Sequence, residues 1–278
     1  KDHDRIYRLI SSEENDCNIL FETAQQIKDN YPEVESATPV QYVSGWSFNV
    51  GCEGNFAVIT DLISTDSKFF SFFNLKLIEG SSTNPFSETN SAVLTYDLAK
   101  ILFGDKSPLG KTIDVGGFIT ARVTGVIENL PANTSFNSNL FLNIEDKKLR
   151  FIQSCKEGIC RYPANIYTKL KPGYSPEQFE EKINQGNNLL TNEKGKLWLQ
   201  PLTRVYFDKE IKNNRNREVN VSMINLFTAI ALLILLLSTS NHINFSVSLQ
   251  FSRLREIGIK KTNGAGFQQL MAFHLTEN

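Results

Sequence analysis

Between Glu218 and Arg253 the chain runs for 34 residues without a single Asp, Glu, Lys or Arg. Its apolar heart is Asn225-Leu-Phe-Thr-Ala-Ile-Ala-Leu-Leu-Ile-Leu-Leu-Leu237, and the window Val221–Thr239 holds eleven Leu, Ile, Val or Phe. At roughly −0.5 kcal/mol each on an insertion scale, these contribute about −5 kcal/mol, more than Asn225 and the hydroxyls cost. A spanning helix needs about 20 residues, so the length suffices. The competing assignment is a buried core helix, but a soluble helix apolar all round and this long is rare. We therefore expect a transmembrane helix over 219–252. Ser238-Thr-Ser-Asn-His242 and Asn244 make its second half polar without charge, which suits an inter-helix face or the interface. His242 reads as a packing or interfacial residue rather than a proton relay.

The remaining residues are of a different kind. The whole chain has 29 Lys+Arg against 30 Asp+Glu, a net charge of −1, which leaves no cation excess for general nucleic-acid binding. With 41% hydrophobic and 21% charged residues it is not disordered by composition. A mean hydropathy of −0.24 excludes a polytopic membrane protein over these residues and leaves room for one span. The sequence starts at Lys1 and stops at Asn278 inside an apolar, helix-like run, so we expect a piece of a longer protein.

Flanking cations do not orient the span. Arg204, Lys209, Lys212, Arg215 and Arg217 precede it, and Arg253, Arg255, Lys260 and Lys261 follow; a long N-terminal domain can cross regardless of charge. Cysteine placement says a little more. Cys17, Cys52, Cys155 and Cys160 all precede the span, as suits a large domain in an oxidising compartment. Four cysteines allow three connectivities; Cys155 and Cys160 are the favoured local pair, with Gly158 able to turn the loop between them. Without Cys-x-x-Cys or a nearby histidine, the spacing argues against a metal site.

Periodicity divides the large domain. Arg5–Ile10 reads as a strand, and Asn18–Tyr31 has helical spacing ended by Pro32. Val34–Val50 and Asn55–Ser64 read as strands joined through Gly51-Cys-Glu-Gly54. Asp66–Phe73 is expected to be a short helix capped by Asp66 or Thr65, its four phenylalanines in the core. A strand at Ala92–Thr95, a helix at Asp97–Phe103 ended by Gly104, and strands near Thr112–Val115, Ala121–Ile127, Asn139–Ile144, Asn165–Leu170 and Lys196–Leu202 complete the list. Ser175-Pro176-Glu177 carries the N-cap, first-turn proline and acid of a helix start. The fold class is α+β: strand-helix-strand units flanking an inserted β-rich subdomain, then the span and a short helix.

Gly104-Asp-Lys-Ser-Pro-Leu-Gly110-Lys111-Thr112 imitates a phosphate-binding loop. That loop needs four residues between its glycines and a helix after them. Here five intervene, Pro108 among them, and Ile113-Asp-Val115 has a strand pattern, so we reject nucleotide binding. The only histidines, His3, His242 and His274, stand near the ends or in the span, and no nucleophile–base pair has catalytic spacing. An enzyme is not expected.

Several short sequences resemble, in order, the periplasmic core domain of MacB/FtsX-type ABC transporter permeases: Arg5-Ile-Tyr-Arg8, Tyr31-Pro-Glu-Val34, Phe69-Phe70, Leu77-Ile-Glu-Gly80, Val93-Leu-Thr95, Phe103-Gly104, Pro108-Leu-Gly-Lys111, Val123-Thr-Gly-Val126 and Leu130-Pro131-Ala-Asn133. After the span, Arg255-Glu-Ile-Gly-Ile-Lys-Lys261 and Gly264-Ala265 resemble that family's signature at the cytoplasmic end of its second membrane helix. His242 stands where the family usually has an aromatic, and Asn263 where a small or aliphatic residue is common.

The resemblance implies a periplasmic core domain over 1–210, with 1–65 and 139–210 forming the α+β subdomain and 66–138 the inserted β-rich one. It implies a transmembrane helix at 219–252, a cytoplasmic coupling segment at 253–278 that begins the permease domain, and the bacterial inner membrane as location. Implied partners are a cytoplasmic ATPase subunit that binds the ATP, a second permease copy, and a periplasmic adaptor, lipoprotein or hydrolase. The chain itself would need no cofactor and would pass ATP-driven motion outward. Arg255, Glu256, Gly258, Lys260, Lys261, Gly264 and Phe267 are the expected ATPase-coupling residues. Physically, Glu256 can pair with Lys260 at i,i+4, and Ala265–Thr276 can form an amphipathic helix with Phe267, Leu270, Met271 and His274 near one face. Such a helix docks in a groove or lies on the membrane; the resemblance favours docking. A single-span receptor with a ligand-binding ectodomain is the rival reading.

Overall fold

In chain order the first strands and helices are β1 (Ile6–Ser11), β2 (Ile19–Leu20), α1 (Thr23–Asn30), β3 (Val34–Cys52), β4 (Asn55–Thr65) and α2 (Lys68–Phe72). Then come β5 (Leu77–Gly80), β6 (Ser91–Thr95), α3 (Tyr96–Phe103), β7 (Thr112–Val115), β8 (Ile119–Ile127) and β9 (Leu140–Asn143). A small ribbon, β10 (Ser154–Lys156) and β11 (Ile159–Arg161), precedes β12 (Pro163–Leu170), α4 (Pro176–Gln185), β13 (Leu197–Pro201) and α5 (Leu202–Val205). Two helices close the chain, α6 (Val221–Thr262) and α7 (Phe267–Thr276). The structure is a computed structural model that describes residues 3–12, 15–131, 134–143, 145, 154–156, 159–161, 163–185, 196–208, 210–214 and 220–276. Lys1–Val219 and Asn220–Asn278 are separate compact units.

The β3–β4 hairpin organises the first unit. Its turn is Glu53-Gly54, both with positive φ (48° and 93°), which gives the two strands the twist a two-residue hairpin needs. Between Ser44 and Phe48 the register of β3 slips against β4, and such a bulge bends a strand. On the N-terminal side of the bulge β3 pairs with β12, and on the C-terminal side it pairs with β7. One strand thus serves two sheets. The first is the open sheet β13-β1-β12-β3. The second closes on itself as β3-β4-β9-β6-β8-β7, a six-stranded barrel.

Alternation decides what fills the barrel. Ile119, Ala121 and Val123 of β8 point in with Ile113 and Val115 of β7, while Thr120 and Arg122 point away. Leu98, Leu102 and Phe103 of α3 belong to the same core, and Asn55 Nδ2 donates to the Leu102 carbonyl at 2.9 Å, tying this helix to β4. A second core contains Phe69, Phe70, Phe72, Phe86, Phe136 and Phe141. Phe69 meets Phe70 and Phe136 edge-on at 5.5 and 5.3 Å. Full burial is worth roughly 1.5–3 kcal/mol per such side chain. Asp66 accepts from the Phe69 amide at 3.2 Å at the start of α2, which carries Phe69, Phe70 and Phe72. A third core packs α1 and α4 on the open sheet through Ala24, Ile27, Phe179 and Ile183.

Two differences from the sequence reading are informative. The helix expected over Asn18–Tyr31 begins only at Thr23, because Ile19 and Leu20 pair with Ala164 and Pro163 of β12; a tertiary partner outweighs helical spacing. The β-rich part also draws on strands outside 66–138, since the barrel closes only with β3, β4 and β9.

Tyr7 at the start of β1 is paired with Pro201 at the end of β13, antiparallel. The start of β1 and the end of β13 therefore lie side by side, and the chain runs on from β13 through α5 to Lys212, which bridges to Asp16 beyond the end of β1.

Candidate functional site

The second unit carries the expected coupling residues. Asn220 caps α6, its side chain accepting from the Met223 amide at 3.3 Å. Val221–Ser248 is long and apolar enough to cross a membrane, and none of its most apolar window is buried within the chain. Leu232, Leu233, Ile234, Leu235, Leu236 and Leu237 are each more than half exposed. A core helix would bury such a run, and within the chain this one is not buried. Thr228 and Thr239 return their hydroxyls to the Ile224 and Leu235 carbonyls at 2.8 Å, which satisfies them inside the helix. The His242 Nδ1 lies 3.3 Å from the Ser246 hydroxyl.

The helix does not stop with its apolar part. It continues unbroken to Thr262, so Arg255, Gly258, Lys260 and Lys261 stand on the same helix as the apolar stretch. Lys260 and Lys261 occupy the last turn, where cations complement the negative end of the helix dipole. Gly258 is a mid-helix glycine with nothing within 4 Å of where a Cβ would stand. The side chain of Glu256 lies outside the described residues, and so does its expected pair with Lys260.

The chain then turns hard. Gly264 has φ +91°, its amide donates to the Lys261 carbonyl, and the Ala265 amide donates to the Lys260 carbonyl, both at 3.1 Å. This pair of bonds around a left-handed residue is the Schellman stop, and glycine holds that position without strain. The next helix starts at Phe267, where the Gly266 amide donates to Gln269 Oε1 at 3.2 Å. Phe267 is 79% exposed, an aromatic ring offered outward at the first position after the turn. The side chains of Leu270 and His274 lie outside the described residues.

Other sequence candidates resolve as follows. Thr112 opens strand β7 and not a helix, and the Gly110 amide is engaged by the Val123 carbonyl at 2.8 Å, so the phosphate-loop imitation offers no amide cradle. Cys155 stands directly across from Cys160 in the β10–β11 register; the turn attributed to Gly158 lies outside the described residues. Cys17 and Cys52 are buried, and the Cys17 thiol lies 3.3 Å from the Lys212 carbonyl. The sequence reading missed the fastening of Ile211–Asn214 to the start of the domain; its partners lie far apart in the chain, and the only local signal is Arg8, a cation at an inward position of an apolar strand.

Residues 3–185 match the sequence profile of the MacB-like periplasmic core domain. No curated protein matches the chain. Several solved structures share its fold. A domain of a proposed permease protein from Porphyromonas gingivalis superposes with a TM-score of 0.59 at 20% identity, covering 80% of this chain and 96% of that one. The periplasmic region of MacB from Actinobacillus actinomycetemcomitans gives 0.52 at 16% identity, covering 72% and 90%. The extracellular domain of the noncanonic ABC-type transporter YknZ from Gram-positive bacteria gives 0.52 at 17%, covering 70% and 99%.

Proposed function

Because this chain belongs to the MacB-like periplasmic core domain family, a component of ABC transporter permeases and not an enzyme, we propose that it passes ATP-driven motion from a cytoplasmic ATPase to its periplasmic domain. The observation that carries this reading is the continuity of α6. One helix joins the apolar span Val221–Ser248 to the basic end bearing Arg255, Lys260 and Lys261. A rod of that kind moves as a unit, at about 1.5 Å per residue, and delivers a displacement of one end to the other.

The coupling contact is the corner after the rod. The turn at Gly264 fixes where α7 departs, and Phe267 is the apolar anchor that a groove on the ATPase would take. Gly258 supports the same reading: a mid-helix glycine costs roughly 1 kcal/mol against alanine, and what it offers in return is close approach by another backbone. The permease acts as a dimer in the bacterial inner membrane with the large domain in the periplasm. Its outside partner is an adaptor, a lipoprotein or a hydrolase.

The test uses the full-length permease reconstituted with its ATPase in proteoliposomes. Charge reversal at Lys260 and Lys261, or Phe267→Asp, is expected to abolish the stimulation of ATP hydrolysis by the permease while the circular dichroism of the periplasmic domain stays unchanged. Stimulation at the original level in all of these variants sinks the proposal.

A further inference from the structure

We propose that the segment ending in Ile211–Asn214 is a latch that fastens the exit of the periplasmic domain to its first strand, with Arg8 as the pin. The mechanical meaning of the latch rests on the permease reading above; its existence does not.

Arg8 lies in β1 between β12 and β13 and has no exposure to solvent. Its Nε and Nη2 donate to Gln200 Oε1 at 2.9 and 2.7 Å, and its Nη1 donates to Asn214 Oδ1 at 2.7 Å. Gln200 Nε2 in turn donates to Asp208 Oδ2 at 3.0 Å. The hydrogen-bond partners of this buried guanidinium among the described residues are thus side-chain amides, and the carboxylate reaches it at one remove. A buried cation deprived of an acceptor is costly, so each of these amides is held where the arginine needs it.

The rest of the segment is stitched to the loop after β1. The Lys212 amide donates to the Asn15 carbonyl at 2.8 Å, and the Cys17 amide donates to the Lys212 carbonyl at 3.3 Å. Asn213 Nδ2 donates to Asp16 Oδ2 at 2.7 Å, and Asn15 Nδ2 to the Glu210 carbonyl at 2.9 Å. Ile211 is buried with Ile10, Cys17 and Trp198. A stretch without a helix or strand of its own is thereby held at both of its faces. It ends six residues before Asn220, the cap of α6.

A slack linker would absorb motion of α6 before the domain felt it. The latch instead delivers a pull to β1, which pairs with β12, which pairs with β3, and β3 runs on into the barrel.

Hydrogen–deuterium exchange on the full chain in lipid nanodiscs tests this without any ATPase. In the unaltered chain, peptides containing Cys17 and Lys212 exchange slowly. In Arg8→Met and in Asn214→Ala they are expected to exchange at least about tenfold faster, the weight of one charge-assisted hydrogen bond, while β6 and β8 keep their protection. If Arg8→Met loosens the barrel as well, Asn214→Ala decides, since that side chain bonds the pin from outside the sheet. Fast exchange of Lys212 in the unaltered chain, or exchange unchanged in Asn214→Ala, overturns the latch. Loss of ATPase stimulation by Phe267→Asp with no change in exchange at Lys212 separates a failure of the latch from a failure of the coupling proposal.

Discussion

Gly80 faces the carbonyl oxygen of Thr124 so closely that a Cβ on it would stand 2.4 Å from that oxygen and 2.9 Å from the Gly125 Cα. Gly80 also has φ +98° and closes β5 opposite Gly125 of β8. Two independent costs therefore fall on any side chain here, a left-handed backbone worth roughly 1–2 kcal/mol and a displaced strand. Gly80→Ala is expected to lower the unfolding free energy by about 2–4 kcal/mol in urea titration. Gly117 is the control: it has φ +80° but nothing within 4 Å of a Cβ, so Gly117→Ala should cost only the backbone part, about 1 kcal/mol. Equal midpoints for the two variants contradict the contact.

How much of this was legible in the sequence depends on how far apart the partners are. The long apolar helix, the Ser175-Pro176 helix start and the glycine stop at 264 rest on neighbours within a few residues, and spacing reports them. The phenylalanine core was legible as composition, but not the arrangement in which Phe69 meets Phe141 at 5.5 Å from 72 positions away. Closure of the barrel needs Val50 of β3 beside Val115 of β7 and Ile63 of β4 beside Phe141 of β9. No periodicity encodes such pairings, since alternation fixes which face a residue takes and not which strand lies next to it. Arg8 and Gln200 are 192 residues apart, so no local pattern announces the bond between them. The proposed coupling residues rest on the family resemblance; their spacing alone left docking and membrane contact open.

Acid should affect two carboxylates of the domain in opposite senses. Burial pushes the Asp66 carboxyl above its ordinary range, and the Thr38 hydroxyl, donating at 2.7 Å, offsets this only in part. A raised native pKa means the native state holds the proton more readily than the unfolded chain. The cost of ionising Asp66 is absent below the ordinary carboxylate range and grows as pH rises through the raised value. Glu35 is held below its ordinary range by Lys169 first and Arg5 second, at 2.9 and 2.6 Å. Its stabilisation is present above the ordinary range and lost as pH falls through the lowered value. Asp66→Asn keeps an acceptor for Thr38 and should be neutral or stabilising at pH 7, the difference vanishing below about pH 4. Glu35→Gln should destabilise at pH 7 by no more than about 1 kcal/mol, because the pair is partly exposed, and match the unaltered chain in acid. Urea midpoints across pH 3–8 check both signs.

At the other end of the chain, the Gly264 turn sets the path of α7. Any side chain at φ +91° strains the stop that the Lys260 and Lys261 carbonyls complete. Gly264→Val is expected to fray the last turn of α6, raising amide exchange at Asn263–Ala265 by about tenfold or more, the effect of roughly 1–2 kcal/mol of local strain. Gly264→Asn, a residue that tolerates this backbone, should restore most of the protection. Equal exchange in the valine and asparagine variants contradicts the strained stop.

We propose that Cys155 and Cys160 are joined in the periplasm. They oppose each other one pair in from Lys156–Ile159, and opposed strand residues have Cα separations within the range a disulfide spans. Closing so short a loop is worth only about 2 kcal/mol by chain entropy, so the bridge would stiffen the ribbon and add little to the domain as a whole. Cys17 and Cys52 are expected to stay reduced because both are buried in the folded domain. Protein secreted to an oxidising compartment and denatured without reductant should therefore take up alkylating reagent at two of its four cysteines, with peptide mapping placing the label on Cys17 and Cys52. Prior reduction should bring all four into reaction. Four labelled cysteines without reduction mean that the ribbon carries no bridge, and label on Cys155 with a link between Cys160 and Cys17 would mean that the register does not govern the pairing.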